Sequence, residues 1–404
     1  TGDGRNGSDP ATVSSNVTSW RTGFLLEIRD GQGRSGWGEA SPLAAYSGER
    51  PVEAASALLR LLADGEAITA LLRAAETPET LPWLGKTGDS AAASTFARLD
   101  DLLGISVAAR NAVISAVTDL ASRRVGIPTH ELLLRFAADL ELPDSEGSIP
   151  SLESGPAASG YQVNALIPLS DRTAALTAAR DAHARGIRVL KAKLGPGERF
   201  DREFELLRLL RGEFGDGLGL RLDANGTWSL SEARVNLERL AELHPEYVEE
   251  PVRGDEMTEL GDSPVPLAAD ESLRDPELAS RLLGEPSVSA FILKPTSLGG
   301  LDRCFDLGLR AIRHGRRCVV THSFEGPVGH GAACELALGL APFDRDGGAE
   351  RSLAQGLDRI GVLDAWADVP VPQLRGSLLV PAEVSGHGID PSPLVDRAGG
   401  DGVI

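Results

Sequence analysis

Lysine is nearly absent. The 404-residue chain has 40 basic residues, and only Lys86, Lys191, Lys193 and Lys294 among them are lysines. Arginine therefore supplies almost every cation. Arginine keeps its proton in a protein, whereas a buried lysine can become neutral and act as a base, so a lysine retained against this background is a candidate for chemistry. Cysteine is scarce as well. Cys304, Cys318 and Cys334 form no C-x-x-C pair, which argues against a disulfide framework or a zinc site and fits small core residues in a reducing cytoplasm. Positive charge is short overall: a formal net charge of −19 lacks the basic footprint that nucleic acid requires. No apolar run approaches the roughly 18 residues that cross a bilayer. Nor does the start show a basic stretch followed by an apolar one, so neither a membrane partner nor a secretory signal is expected. The chain starts at Thr1 without Met, and whether residues precede it is left open. Homo-oligomer formation is left open.

What is present divides in two. Residues Thr1–Asn16 are rich in Gly, Ser, Asn and Asp and read as a loop. Gly23–Arg29 reads as a strand that turns back at Gly31–Gly36 to form a hairpin. That turn is the chain's G-x-G-x-x-G match, but it leads into Trp-Gly-Glu and not into a helix, so it is no nucleotide loop. Helical periodicity follows over Val52–Ala63, Ala92–Leu103 and Ala108–Arg124, and Glu141–Gly160 has the composition of a connector. From Tyr161 onward short apolar strands alternate with amphipathic helices. The strands are expected at Gln162–Ile167, Arg188–Leu194, Leu218–Asp223, Tyr247–Glu250, Leu267–Asp270, Ala290–Lys294, Arg317–His322 and near Leu353–Leu357. Eight such units over about 200 residues indicate a parallel α/β barrel in preference to a doubly wound sheet.

A charge pattern lies on this frame. Lys193, Asp223, Glu249, Asp270 and Lys294 follow one another at intervals of 30, 26, 21 and 24 residues, each about one strand–helix unit. Each thus falls at the C-terminal end of a successive strand, the face where barrel enzymes keep their active sites. Strand parity places Lys191 with Lys193, Arg221 with Asp223, and Tyr247 with Glu249. One charged strand end is ordinary; five in the order base, acid, acid, acid, base are not. Three converging carboxylates repel one another unless a cation lies between them. A set of oxygen ligands without His or Cys selects a hard ion, Mg²⁺ or else Mn²⁺.

Lys191-Ala-Lys193, Leu222-Asp223-Ala-Asn225, Val248-Glu249-Glu250-Pro251, Ala269-Asp270-Glu271-Ser272 and Leu293-Lys294-Pro295 resemble the signature of the muconate-cycloisomerase subgroup of the enolase superfamily. Within that subgroup the cap segment Gly36-Trp37-Gly38-Glu39-Ala40-Ser41-Pro42-Leu43, Tyr46-Ser47-Gly48-Glu49, Arg221, and Gln355-Gly356-Leu357-Asp358 are most similar to the o-succinylbenzoate synthase family. The resemblance implies a modified (β/α)7β TIM barrel with an α+β capping domain. Residues 1–155 would form the cap with its connector and residues 156–370 the barrel. Residues 371–404 would be a C-terminal segment returning to the cap.

It also implies roles. Asp223, Glu249 and Asp270 would bind the metal, Lys193 would be base and then acid, Lys294 would stay cationic opposite it, and Lys191 would crowd Lys193 toward its neutral form. Asn225 and Glu271 would orient ligands. Arg221 and His322 would stand either behind the metal carboxylates or against the substrate, and Ser323 with the turn Gly326–Gly331 would offer backbone donors to a second carboxylate. The implied reaction is the Mg²⁺-dependent syn elimination of water from a small carboxylate, 2-succinyl-6-hydroxy-2,4-cyclohexadiene-1-carboxylate, giving 2-succinylbenzoate on the way to menaquinone. The rival on the same barrel is an N-acylamino-acid racemase or dipeptide epimerase. Dipeptide epimerases of the subgroup often carry Asp-x-Asp near the eighth strand, where this chain has Leu357-Asp358-Arg359. A barrel without catalysis, kept for binding, is disfavoured because the three lysines and three carboxylates are all present.

Overall fold

A computed structural model describes residues 21–76, 81, 90–139, 161–343, 354–358, 373–380 and 384–389. The expected loop Thr1–Asn16, the connector and Lys86 lie outside these residues. Strands β1 (Phe24–Arg29) and β2 (Ser35–Ala40) pair antiparallel, with the turn between them as expected. The hairpin lies on the helix Val107–Val125, whose residues 108 to 122 are all buried. Close approach depends on Gly38, where an added Cβ would meet the Ala112 carbonyl. A helix covered on every side needs small side chains, and this one presents Ala108, Ala109, Ala112, Ser115, Ala116, Ala121 and Ser122. Its start is set by Ser106, whose hydroxyl accepts from Ala109 N–H, and its end by Gly126 in the left-handed conformation. The helices Gly65–Glu76 and Thr129–Asp139 and the short helix Ala44–Ser47 escaped the sequence pattern.

The expected first barrel strand divides. Residues of β3 (Tyr161–Gln162) pair with a C-terminal hairpin, β11 (Gln373–Arg375) and β12 (Leu378–Val380). Then β4 (Ala165–Ile167) enters the barrel, followed by β5 (Val189–Lys193), β6 (Gly219–Asp223), β7 (Tyr247–Glu249), β8 (Leu267–Ala269), β9 (Val288–Leu293) and β10 (Arg317–Val320), all parallel and in chain order. Parallel bridges from Val163 to Gln355 and from Thr321 to Gly356 put residues 354–358 in the eighth position and close the ring. At Gly356 a Cβ would meet the Thr321 side chain, so the closing strand takes glycine there. The fold is a TIM barrel of the (β/α)7β kind with an α+β cap. No helix among the described residues is long and apolar enough to cross a membrane, and Cys304, Cys318 and Cys334 are buried and form no disulfide among the described residues.

Candidate active site

Register fixes the levels inside the barrel. Lys193 is opposite Asp223 and Asp223 opposite Glu249, while Lys191, Arg221 and Tyr247 form the layer beneath. Below the charges, Tyr247, Ala268, Ala290, Ile292 and Val319 make a separate apolar cluster. Asp270 and Lys294 directly follow β8 and β9. Five successive strands therefore deliver Lys193, Asp223, Glu249, Asp270 and Lys294 to one mouth.

Asp223, Glu249 and Asp270 are all buried, at 1%, 1% and 3% exposure. Their countercharges come from two lysines. Lys191 Nζ lies 2.9 Å from Asp223 Oδ2 and 2.8 and 2.6 Å from the two Glu249 oxygens. Lys294 Nζ donates to Asp270 Oδ2 and stands 3.9 Å from Glu249 Oε1. Burial works against both ammoniums, but the carboxylates outweigh it and raise both lysines above their ordinary pKa, so both remain charged. Asp223 is lowered because Lys191, Lys193 and Lys294 overcome its burial. Glu249 is raised by burial and by the negative charge of Asp223. Lys193 differs from the other two: it is half-buried and makes no hydrogen bond or ion pair among the described residues.

The donor set suits a hard divalent ion, with three buried carboxylates and neither sulfur nor imidazole among them. As the side chains stand, no group of three His, Cys, Asp or Glu among the described residues is gathered tightly enough to hold a metal; lysine ammoniums lie among the carboxylates. A metal would be held by Asp223, Glu249 and Asp270 in place of part of that ammonium charge.

Three flanking residues hold the carboxylates and the strand ends that carry them. Glu250 accepts from the Asp270 and Ser272 N–H groups at 2.9 and 3.0 Å and from the Ser272 hydroxyl. Burial and the neighbouring Glu271 push its carboxyl up to about 8. Asn225 donates from its backbone to Asp223 Oδ1 at 2.9 Å and from Nδ2 to Glu271 Oε1 at 3.3 Å, and the second Glu271 oxygen is buried without a partner. Asn225 and Glu250 both have positive φ, 48° and 42°, backbone conformations of the kind that collect at functional strand ends. From the cap, the Tyr46 hydroxyl donates to Asp270 Oδ2 at 2.8 Å and accepts from Lys294 Nζ at 2.6 Å.

One expectation needs correction, and one residue is placed more closely. Arg221 stands behind the mouth. It is buried a layer below, donating to Glu246 Oε2 at 2.7 Å, Asn164 Oδ1 at 3.1 Å and the Ala354 carbonyl at 2.5 Å, with its guanidinium over the Tyr247 ring; it ties the first and eighth strands to the third. The donors expected for a second substrate carboxylate are already engaged by the protein's own acids. Ser323 N–H donates to Glu325 Oε2 at 2.6 Å, and Gly326 and Gly329 N–H donate to the two Glu39 oxygens at 2.6 and 2.9 Å. His322 lies two residues beyond β10. Its Nδ1 accepts from Phe324 N–H at 3.2 Å, and burial with the nearby His330 ring holds it neutral, with a pKa down to about 3. The sequence reading overlooked Glu39, Tyr46 and Glu250, although each stood inside a motif it quoted.

A family profile described as "Enolase C-terminal domain-like" matches residues 174–395. The L-Ala-D/L-Glu epimerase of Francisella tularensis subsp. novicida is 30% identical over 162 residues, 38% of this chain and 46% of that protein. The chain thus spans about half the length of that relative. The o-succinylbenzoate synthase of Edwardsiella ictaluri is 28% identical over 331 residues, 80% of each chain. The muconate lactonizing enzyme from Pseudomonas putida superposes with a TM-score of 0.66 at 22% identity, covering 93% of this chain and 94% of that one. The profile covers more than half of the chain and falls on the strands that carry the lysines and carboxylates; the chain belongs to the enolase superfamily.

Proposed function

We propose that the protein is a cytoplasmic lyase resembling o-succinylbenzoate synthase. It would remove water from 2-succinyl-6-hydroxy-2,4-cyclohexadiene-1-carboxylate to give 2-succinylbenzoate for menaquinone synthesis. The observation that carries this reading is the inequality of the two facing lysines. Lys294 is tied to Asp270 and Tyr46 and held cationic, while Lys193 makes no hydrogen bond or ion pair among the described residues. An elimination with one base needs such a pair: Lys193 takes the proton next to the carboxylate and returns it to the departing hydroxyl. The C–H and C–O bonds break, a C=C bond forms, and the products are water and an aromatic ring. Lys294 stays charged and faces the electron density that the proton leaves behind. Superfamily members use Mg²⁺; bound at Asp223, Glu249 and Asp270, it would stabilise the charge developing on the substrate carboxylate.

The second reading, an N-acylamino-acid racemase or dipeptide epimerase, is favoured by the epimerase relative. Racemisation asks the two lysines to exchange roles, and the present asymmetry opposes that. Asp358 is held by both ends of the Arg185 guanidinium, at 2.9 and 2.7 Å, which leaves it committed instead of free for a substrate ammonium.

The test supplies the cyclohexadiene and a panel of N-succinyl amino acids and dipeptides with Mg²⁺. A kcat/KM of roughly 10⁴ M⁻¹s⁻¹ or more for the cyclohexadiene is expected, and Lys193→Arg should abolish it because arginine has no accessible neutral form. Preferential racemisation of an acylamino acid or dipeptide would establish the rival.

A further inference from the structure

We propose that Tyr46 is a positioning residue through which the cap completes the barrel's proton-transfer site, holding Asp270 and Lys294 in fixed relation. The inference rests on the metal-dependent reading of the site but not on the choice between elimination and epimerisation.

A phenol hydroxyl has one proton to donate and lone pairs to accept with. Here the proton is directed at Asp270 Oδ2, 2.8 Å away, and the oxygen receives Lys294 Nζ at 2.6 Å. Asp270 and Lys294 follow adjacent strands, so one cap atom bridges a proposed metal ligand and the proposed cationic lysine. Three anchors hold the ring. The Arg274 guanidinium lies 4.3 Å from its centroid, Lys294 Nζ lies 4.6 Å from it, and Arg274 also donates to the Tyr46 carbonyl at 3.1 Å. Arg274 belongs to the turn Glu271–Arg274, the same turn whose start carries Asp270.

The segment bearing Tyr46 is itself fixed. The short helix Ala44–Ser47 is ended by Gly48 at φ 74°. Just beyond it, the buried Glu49 carboxylate accepts from the Ser106 hydroxyl and from Ala108 N–H at 3.1 Å, at the start of the central cap helix. Before it, Arg21 donates to the Pro42 and Ser41 carbonyls. The space left beside Tyr46 between cap and barrel is about 10 Å³, room for about one water molecule. Tyrosine at this place is therefore held as firmly as the strand ends it touches. An outer partner that orients a ligating carboxylate commonly matters 10- to 100-fold for metal affinity or turnover.

Tyr46→Phe separates the hydroxyl from the ring, since phenylalanine keeps the stacking with Arg274. Mg²⁺ affinity by calorimetry without substrate should fall roughly 10-fold, and kcat on whichever panel substrate the wild type prefers should fall about 10- to 100-fold. KM and the thermal midpoint should stay close to wild type, a split that loss of packing would not produce. Tyr46→Leu, which also removes the ring, should raise KM in addition. A Phe variant with wild-type Mg²⁺ affinity and kcat overturns the proposal and leaves the proposed function standing. So does a Phe variant whose activity loss only tracks a lowered thermal midpoint. Wild-type protein that binds no Mg²⁺ overturns both.

Discussion

Two groups of buried acids lie within this molecule, and they are neutralised by different means. At the barrel mouth, Asp223, Glu249 and Asp270 face the ammoniums of Lys191 and Lys294. At the seam between cap and barrel, Glu39 faces the N–H groups of Gly326 and Gly329 and the Ser41 hydroxyl, beside Glu325. Backbone donors at the start of the helix Pro327–Leu340 cannot move away without unwinding it. The Lys191 ammonium, on its four-carbon stem and held among the described residues only by Asp223 and Glu249, can swing aside. The seam is therefore built as a latch, and the mouth as a place where one cation can replace another. Equal burial alone does not distinguish a structural carboxylate from a functional one; the mobility of its countercharge does.

The largest effect that would sharpen this contrast is loss of a mouth carboxylate. Asp223→Asn, Glu249→Gln or Asp270→Asn should each lower kcat by roughly 10³-fold or more and abolish Mg²⁺ binding by calorimetry. The fold should stay intact, because Lys191 and Lys294 each keep a second carboxylate partner. A substitution that unfolds the protein would make the mouth resemble the latch and remove the distinction. So would activity that survives complete removal of metal by a chelator.

The latch should respond in the opposite sense. Glu39→Ala strips two buried N–H groups of their acceptor, and unsatisfied buried donors of this kind cost about 2–4 kcal/mol. Urea unfolding should show that loss, while kcat per folded molecule stays near wild type. Glu39→Gln keeps an acceptor oxygen and should lose less. If Glu39→Ala destroyed activity without destabilising the fold, Glu39 would belong to the chemistry and the seam would be more than a latch.

Most of the mouth was legible in the sequence because two periodicities coincide there. The strand–helix repeat gives the spacing of Lys193, Asp223, Glu249, Asp270 and Lys294, and parity of two along each strand gives the inward face. Parity does not give depth, which is why the sequence leaves Arg221 open between a contact with substrate and a place behind the carboxylates: inward and two residues before Asp223 puts it one layer down, where it meets Glu246 and Asn164. The donors at Gly326 and Gly329 were recognised as anion-binding, but their anion is Glu39, 287 and 290 residues away in the chain. Tyr46 was visible only as part of a motif. Its position over Lys294 depends on how the cap docks, and no local pattern encodes that. The helix Gly65–Glu76, by contrast, buries only Ala67, Leu71 and Ala75, a stripe too weak to stand out by periodicity.

Asp30 is an intermediate case, and it gives the smallest effect. Its Oδ1 accepts from the backbone N–H groups of Gln32 and Arg34, both at 2.9 Å, as at the latch. Its Oδ2 accepts from the side chains of Arg34 and Arg124 at 2.9 and 2.8 Å, nearer to the arrangement at the mouth. Covering by its own loop opposes the charge, but the Arg34 and Gln32 hydrogen bonds win and lower its pKa from 3.8 to about 2. A lowered folded-state value contributes stability that is complete above the unfolded value and is lost as pH falls through the folded one. The difference in stability between wild type and Asp30→Asn should therefore be constant above about pH 4, shrink between about 4 and 2, and vanish below that. Glu39 has the opposite sign: burial raises its pKa, so its contribution is full below the ordinary carboxylate value and declines as pH rises through the raised one. The differences in thermal midpoint between wild type and each single variant, measured from pH 2 to 7, should slope in opposite directions. Parallel slopes would mean that the amide donors at Glu39 outweigh its burial, and that fixed backbone donors hold a carboxylate ionised as firmly as the arginines of Asp30 do.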